Sequence, residues 1–295
     1  MKKTLLSFAG ILAGLFVVLS LLDARGDYGV EQILWKANKK LSDAARSPEA
    51  IPDKVFVQIA DQYRKIIKDF PNSRLTSAAY LSLGKVYLIK KDYKAARERL
   101  TDVLKKYPNN SNVCAEALSA IGNSYGLEGD WPNALRTYEK LKNDYPLTDL
   151  GLSVPLYVAN YYLKNSHTVN AQNALEDAIV YYDKLSLEHP NSEIELKSLK
   201  LLSDCYLMQN RWTDAVNVLG KILLKYPKPE VAVPIMKAIN TIVLTQIRDF
   251  DIPINIYQGF LEKNPNHPLD KALKEMIGKF TELKKKNVKA DPKKT

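Results

Sequence analysis

Residues 76–108 read TSAAYLSLGKVYLIKKDYKAARERLTDVLKKYP, and their spacing decides the fold. Tyr80, Leu83, Gly84 and Tyr87 fall on one face of a helix, at steps of three and one. Lys91 and Asp92 make a turn, with Asp92 placed as the N-cap of a second helix. That helix carries Tyr93, Ala96, Leu100 and Val103, and Pro108 ends it. Small Gly84 and Ala96 let the two helices approach closely, while the large residues fill the space around them.

The order recurs downstream. One unit has Leu118, Ile121, Gly122, Tyr125, Trp131, Ala134, Tyr138, Leu141 and Pro146 in register. Another has Leu199, Leu202, Ser203, Tyr206, Trp212, Ala215, Leu219, Ile222 and Pro227. The closing prolines Pro71, Pro108, Pro146, Pro190, Pro227 and Pro265 are 37, 38, 44, 37 and 38 residues apart. A period in this range marks stacked supersecondary units, none of which buries its apolar face alone.

Two units depart from the pattern. Between Pro146 and Pro190, about seven extra residues near 164–174 predict a longer turn or longer helices, with Ser153 capping a helix whose first turn holds Pro155. The last unit lacks the Gly and Ala positions and restarts at Asp251 and Pro253.

This register resembles the tetratricopeptide repeat, over roughly residues 52–266. The resemblance implies an all-α, right-handed α-solenoid of about five helix pairs. The expected organisation is a signal or membrane anchor at 1–25, a helix and linker at 26–51, the solenoid at 52–268, a capping helix at 269–283 and a basic disordered tail at 284–295. Trp35, near the membrane end, is expected to pack between helices rather than serve as an interfacial anchor.

Hydrophobic content of 46% is ample for a core. The formal charge of +10 invites a nucleic-acid reading, but nine lysines against three acids from Lys271 to Thr295 concentrate the excess in one tail. No nucleic-acid partner is therefore expected. Cys114 and Cys205 are too few and too far apart in the repeat pattern for a metal pair, and they read as small buried residues.

Met1, Lys2 and Lys3 precede an uncharged apolar run, Leu5 to Leu22. A basic start before such a run is an export signal, and 18 residues approach the length of a bilayer-spanning helix. Leu22 fits poorly at the −3 place of a cleavage site after Ala24, which favours an uncleaved inner-membrane anchor over a cleaved signal. Either way the repeats go to the outer, periplasmic side. Phe70-Pro71-Asn72-Ser73 and Tyr107-Pro108-Asn109-Asn110, behind an export signal, are similar to bacterial envelope proteins of this repeat class. Those include the β-barrel assembly lipoprotein type and the Tol–Pal coordinator type, although no cysteine stands where a lipid would attach.

Catalysis leaves no motif: there is no glycine-rich phosphate loop, G-x-S-x-G elbow, H-E-x-x-H or C-x-x-C. No enzyme activity, metal or cofactor is expected. His167, His189 and His267 lie at unit ends or in the insertion, and Glu193 and Glu195 read as solvated charges. The repeated tyrosines Tyr87, Tyr125, Tyr162 and Tyr206 read as packing.

Binding is better motivated. By the geometry of the resembled repeat, the residue after the Gly position faces a concave groove. Those residues are Lys85, Asn123, Asn160 and Asp204, with Lys197 and Lys200 alongside. Such a row holds extended peptides through their backbones. Leu81 and Ala120 stand where the family's carboxylate-clamping Lys and Asn would be, so that function is not carried over. The expected role is a non-catalytic envelope scaffold for proteins or peptides. The alternatives are a self-assembling structural component, or a lipid- or polyanion-binding protein acting through the lysine tail.

Overall fold

The computed structural model describes residues 28–290, with side chains through Lys286. The apolar run at 5–22, the junction before residue 28 and the final five residues lie outside the described residues. All regular structure described is helical. In order, the helices are α1 (28–45), α2 (Asp53–Asp69), α3 (Thr76–Ile89), α4 (Tyr93–Lys106), α5 (Ser111–Glu128) and α6 (Trp131–Asp144). They continue as α7 (Asp149–Lys164), α8 (Thr168–Glu188), α9 (Glu193–Met208), α10 (Trp212–Lys225), α11 (Pro229–Ile242), α12 (Asp251–Lys263) and α13 (Asp270–Ala290). The described residues thus form six consecutive helix pairs and a closing helix, one pair more than expected. The extra pair is α1 with α2. Two compact units divide within α7, between Val154 and Pro155.

In the first unit, Val30, Leu34, Ala37 and Leu41 of α1 are buried with Phe56 and Tyr63 of α2 and Leu83 of α3. Cores of this kind supply the main driving force, about 25 cal/mol for each Å² of apolar surface removed from water. The small-residue seams then set how closely the helices approach. A Cβ at Gly84 would lie 2.6 Å from the Leu100 side chain, and one at Gly122 would lie 2.8 Å from the Tyr138 ring. Ala96 and Ala134, on the opposing helices, are fully buried. Asp92 and Asp130 cap the second helices by accepting from Ala95 and Asn133 N–H, each at 3.1 Å.

The turns inside the five pairs from α3–α4 to α11–α12 use a left-handed residue: Lys91, Gly129, Ser166, Asn210 and Arg248, at φ of 62°, 87°, 60°, 58° and 56°. Glycine and asparagine tolerate this region, so Lys91, Ser166 and Arg248 carry the local strain.

Helix α7 starts earlier than expected. Thr148 Oγ1 accepts from Gly151 N–H at 3.1 Å and donates to Tyr145 O at 2.8 Å, so the helix is nucleated at Asp149. Ser153 is therefore not a cap; it lies inside the helix and donates to Leu150 O. Gly151 is needed there, because a Cβ would fall 2.0 Å from the Tyr145 carbonyl oxygen. The extra residues of this repeat lengthen α8 to 21 residues, against 14 in α4, α6 and α10.

In the second unit, one cluster joins Ala159 of α7 to Phe280 of α13 through Tyr182, Leu219 and Tyr257. Ser203 replaces the glycine of the pattern and is buried against Ala215. The terminal pairs close differently. Tyr257 donates to Asn240 Oδ1 at 2.7 Å, as Tyr63 donates to Asn38 Oδ1 at 2.7 Å in the first pair. A polar Asn–Tyr bond thus stands at both ends in place of a glycine seam. Burial pushes the Tyr63 hydroxyl up to about 12.

A π-helical turn, Val243–Ile247, follows α11. Phe280 of α13 stacks on Phe250 with ring centroids 5.8 Å apart, covering the end of the unit. Helix α13 runs to Ala290 rather than stopping at 283. Lysine is a good helix former, and no proline intervenes before Pro292. Lys284 also pairs with Asp251 at 2.6 Å, tying the start of the expected tail to α12.

Candidate peptide-binding face

The expected row divides between the two units. In the first, Lys85 on α3 and Asn123 on α5 are both exposed, each one residue after a buried glycine. Because Gly84 and Gly122 point at the second helix of their pairs, the next residue is rotated away from that seam. Lys85 Nζ lies 3.6 Å from Glu116 on α5, so this cation already has a partner on the adjacent first helix. The pair is half exposed and contributes little stability.

In the second unit, Lys197, Lys200 and Asp204 share one face of α9 at i, i+3 and i+7. Lys200 is exposed, while Lys197 pairs with Glu193 at 2.7 Å. Asp204 keeps surface accessible to water, yet the surrounding protein desolvates its carboxylate and raises its pKa. Asn160 is half-buried and donates its amide to Leu156 O at 3.0 Å, so part of its donor capacity is spent within α7.

Several features were missed by sequence reasoning. Glu195 is buried rather than solvated. Its carboxylate accepts from Lys225 Nζ at 2.6 Å, from Tyr226 hydroxyl at 2.7 Å and from Asn191 N–H. Burial alone would raise its pKa, but these donors outweigh burial and hold it below the usual range. Its place at the third position after the cap Ser192 was the available signal.

Three of the four repeated tyrosines meet a cation, while Tyr162 meets the rings of Tyr161 and His167. Arg64 donates to Tyr87 hydroxyl at 2.6 Å, and Arg97 and Arg211 lie 4.2 and 4.5 Å from the ring centroids of Tyr125 and Tyr206. Trp35 does not pack between helices; it is 61% exposed. Its position opposite the buried face of α1 is the reason.

Two clefts accompany these faces. One of about 490 Å³ in the first unit is lined by Arg64, Tyr80, Tyr87, Arg99 and Lys106. Another of about 450 Å³ in the second runs between α11 and α13, lined by Val233, Met236, Leu244, Leu269 and Met276. Among the described residues, no three His, Cys, Asp or Glu side chains form a group able to hold a metal ion. Cys114 and Cys205 are free and buried, as expected.

Residues 78–110, 116–148 and 201–229 match the tetratricopeptide repeat family model. No curated protein matches the sequence. Among solved structures, the chain is similar to a tetratricopeptide repeat protein from Parabacteroides merdae, at 12% identity and TM-score 0.34, covering 85% of this chain and 99% of that one. It is also similar to yeast Tom70, at 16% identity and TM-score 0.44, covering 87% of this chain and 48% of that one. The TPR2AB domain of yeast Sti1, solved in complex with pHSP90, is 13% identical with TM-score 0.31, over 83% of this chain and 98% of that one. Repeats of the matched family are generally non-catalytic protein-binding scaffolds. The seams at Gly84 and Gly122, the buried alanines opposite them and the three matched segments mark these stretches of the all-α chain as tetratricopeptide repeats.

Proposed function

We propose that the chain is an exported, membrane-tethered scaffold of the bacterial envelope that binds protein or peptide segments on the first-helix faces of its repeats. The observation that carries the binding reading is the exposed polar residue directly after each glycine seam, Lys85 and Asn123, on neighbouring first helices. Such side chains reach a bound backbone while the seam behind them stays rigid. In the second unit Lys200 and Asp204 offer the same surface on α9. Export and tethering rest on Met1–Lys3 and the apolar run to Leu22.

Photo-crosslinking amino acids at Asn123 and Lys200, with Val180 on the outer face of α8 as the comparison site, test the binding reading in envelope preparations. Adducts at the first two sites and not at Val180 are expected. Equal labelling at all three would remove the face assignment.

A self-assembling role is the second reading. It is favoured by Val169, Val180 and Leu187, which stand in line on α8 and are each about 70% exposed. Light scattering of the detergent-solubilised chain separates the two readings, since a strict monomer dismisses self-assembly.

A further inference from the structure

We propose that the outer face of α1 lies on the lipid bilayer surface, with Tyr28 and Trp35 seated at headgroup level. This rests on the reading that the run Leu5–Leu22 enters a membrane. Helix α1 is two-faced. Val30, Leu34, Ala37 and Leu41 pack inward, whereas Tyr28 and Trp35 are 62% and 61% exposed. At 100° per residue, the two aromatics stand roughly 140–160° around the helix from the centre of the buried face. They are seven residues apart, so they share one outer stripe about 10 Å long. No repacking of the α1–α2–α3 core can bring them inside without expelling Leu34 and Ala37.

The neighbours on this face carry both signs, with Glu31 in the same shallow cleft as Trp35 and Lys36, and Asp43 paired to Arg46, but lysines outnumber the acids. Lys39 Nζ sits 5.4 Å from the Trp35 ring centroid, and Lys36 and Lys40 are exposed beside it. Amphipathic aromatics flanked by lysines suit the boundary between hydrocarbon and anionic headgroups, where the rings keep a polar edge and the ammonium groups meet phosphate. Chain length supplies the occupant. Five residues, six Cα–Cα steps, separate Leu22 from Tyr28. Even fully extended these steps reach only about 20 Å, so a membrane-inserted run holds the start of α1 within that distance of the bilayer whatever path the junction takes. Tethering of that kind makes a weak surface contact effective without high intrinsic affinity.

The test uses the full chain with Trp131→Phe and Trp212→Phe, leaving Trp35 as the sole indole. It is reconstituted into vesicles of phosphatidylcholine and phosphatidylglycerol, with and without lipids brominated near the headgroup. Circular dichroism checks that the two substitutions leave the helices intact. The expected result is a blue shift of Trp35 emission relative to lipid-free detergent-dialysed chain, and loss of intensity to the bromines. If the chain pellets with the vesicles while Trp35 emission is unshifted and unquenched, the surface contact is wrong and tethering stands. If the chain stays in the supernatant after carbonate washing and Trp35 is unquenched, tethering and the contact both fall. A parallel chain carrying Leu34→Trp in a background with all native tryptophans changed to Phe places the probe on the buried face. Quenching there equal to that at Trp35 would also overturn the assignment of the outer stripe.

Discussion

Gly122→Ala and Gly126→Ala make the same chemical change four residues apart on α5, and they should move stability in opposite directions. Glycine within a helix costs about 0.5–1 kcal/mol relative to alanine through backbone entropy, so both substitutions gain that amount. Gly126 is exposed, and a Cβ there meets nothing within 4 Å. Its alanine variant should therefore be stabler by about 0.5–1 kcal/mol. At Gly122 the new Cβ falls 2.8 Å from Tyr138 Cε1 and 2.9 Å from Cζ. Tyr138 is buried and its ring cannot shorten, so α5 and α6 must separate. Overpacking of this kind costs about 1–3 kcal/mol, which leaves a net loss of up to about 2.5 kcal/mol after the propensity gain. Since propensity cancels in the comparison, the gap between variants measures the seam directly. Urea unfolding followed by Trp131 fluorescence suits the measurement, with Trp35 and Trp212 replaced by Phe. The Trp131 ring centroid lies 6.3 Å from that of Tyr138, so it reports on this seam. Equal stabilisation by both alanines would refute the reasoning.

Glu195→Gln should lower stability of the second unit by about 1–2 kcal/mol near neutral pH, the lower end for charged hydrogen bonds because Lys225 keeps contact with water. The folded pKa of Glu195 is depressed, so its contribution is complete above the unfolded value of about 4.3 and is lost as pH falls through the folded value. Urea midpoints measured down the acid limb should show a shallower loss in the Gln variant; parallel curves would contradict the network. Ser166→Gly removes a non-glycine left-handed residue at φ 60° and should raise stability by about 1 kcal/mol in thermal melts, with no gain counting against strain at that turn. Burial pushes the Cys205 thiol up to about 12. Cys114 is also buried and donates to Tyr107 O at 3.1 Å. Neither thiol should react with a thiol reagent at about pH 8 until urea unfolds the chain, and rapid native labelling would show the burial to be wrong.

The repeat architecture was readable because its determinants are local and periodic. A glycine, an alanine and a proline at fixed offsets state where helices touch and stop, and Asp92 announces its own cap. The start of α7 was misread because its cap, Thr148, precedes the expected Ser153, and a helix tolerates Pro155 within it. Glu195 was misjudged because its burial depends on Tyr226 and Lys225, thirty residues away in sequence. The last pair looked degenerate, and α1 was not read as the partner of α2, because an Asn–Tyr bond does the joining in both, and a missing glycine leaves no trace of its replacement. For the binding face, position after the seam found the exposed Lys85 and Asn123. It did not foresee that Asn160 bonds its own helix, since a side chain that folds back has the same sequence as one that reaches out.

Selective isotope labelling of glycine α-protons, tyrosine rings and leucine methyls allows one decisive observation by nuclear Overhauser spectroscopy. Close packing at the seams predicts strong cross-peaks from the Tyr138 ring to Gly122 and from the Leu100 methyls to Gly84 in the native chain. Absence of both, with the Tyr138 ring showing contact to water instead, would mean that the paired helices do not meet where their smallest residues lie.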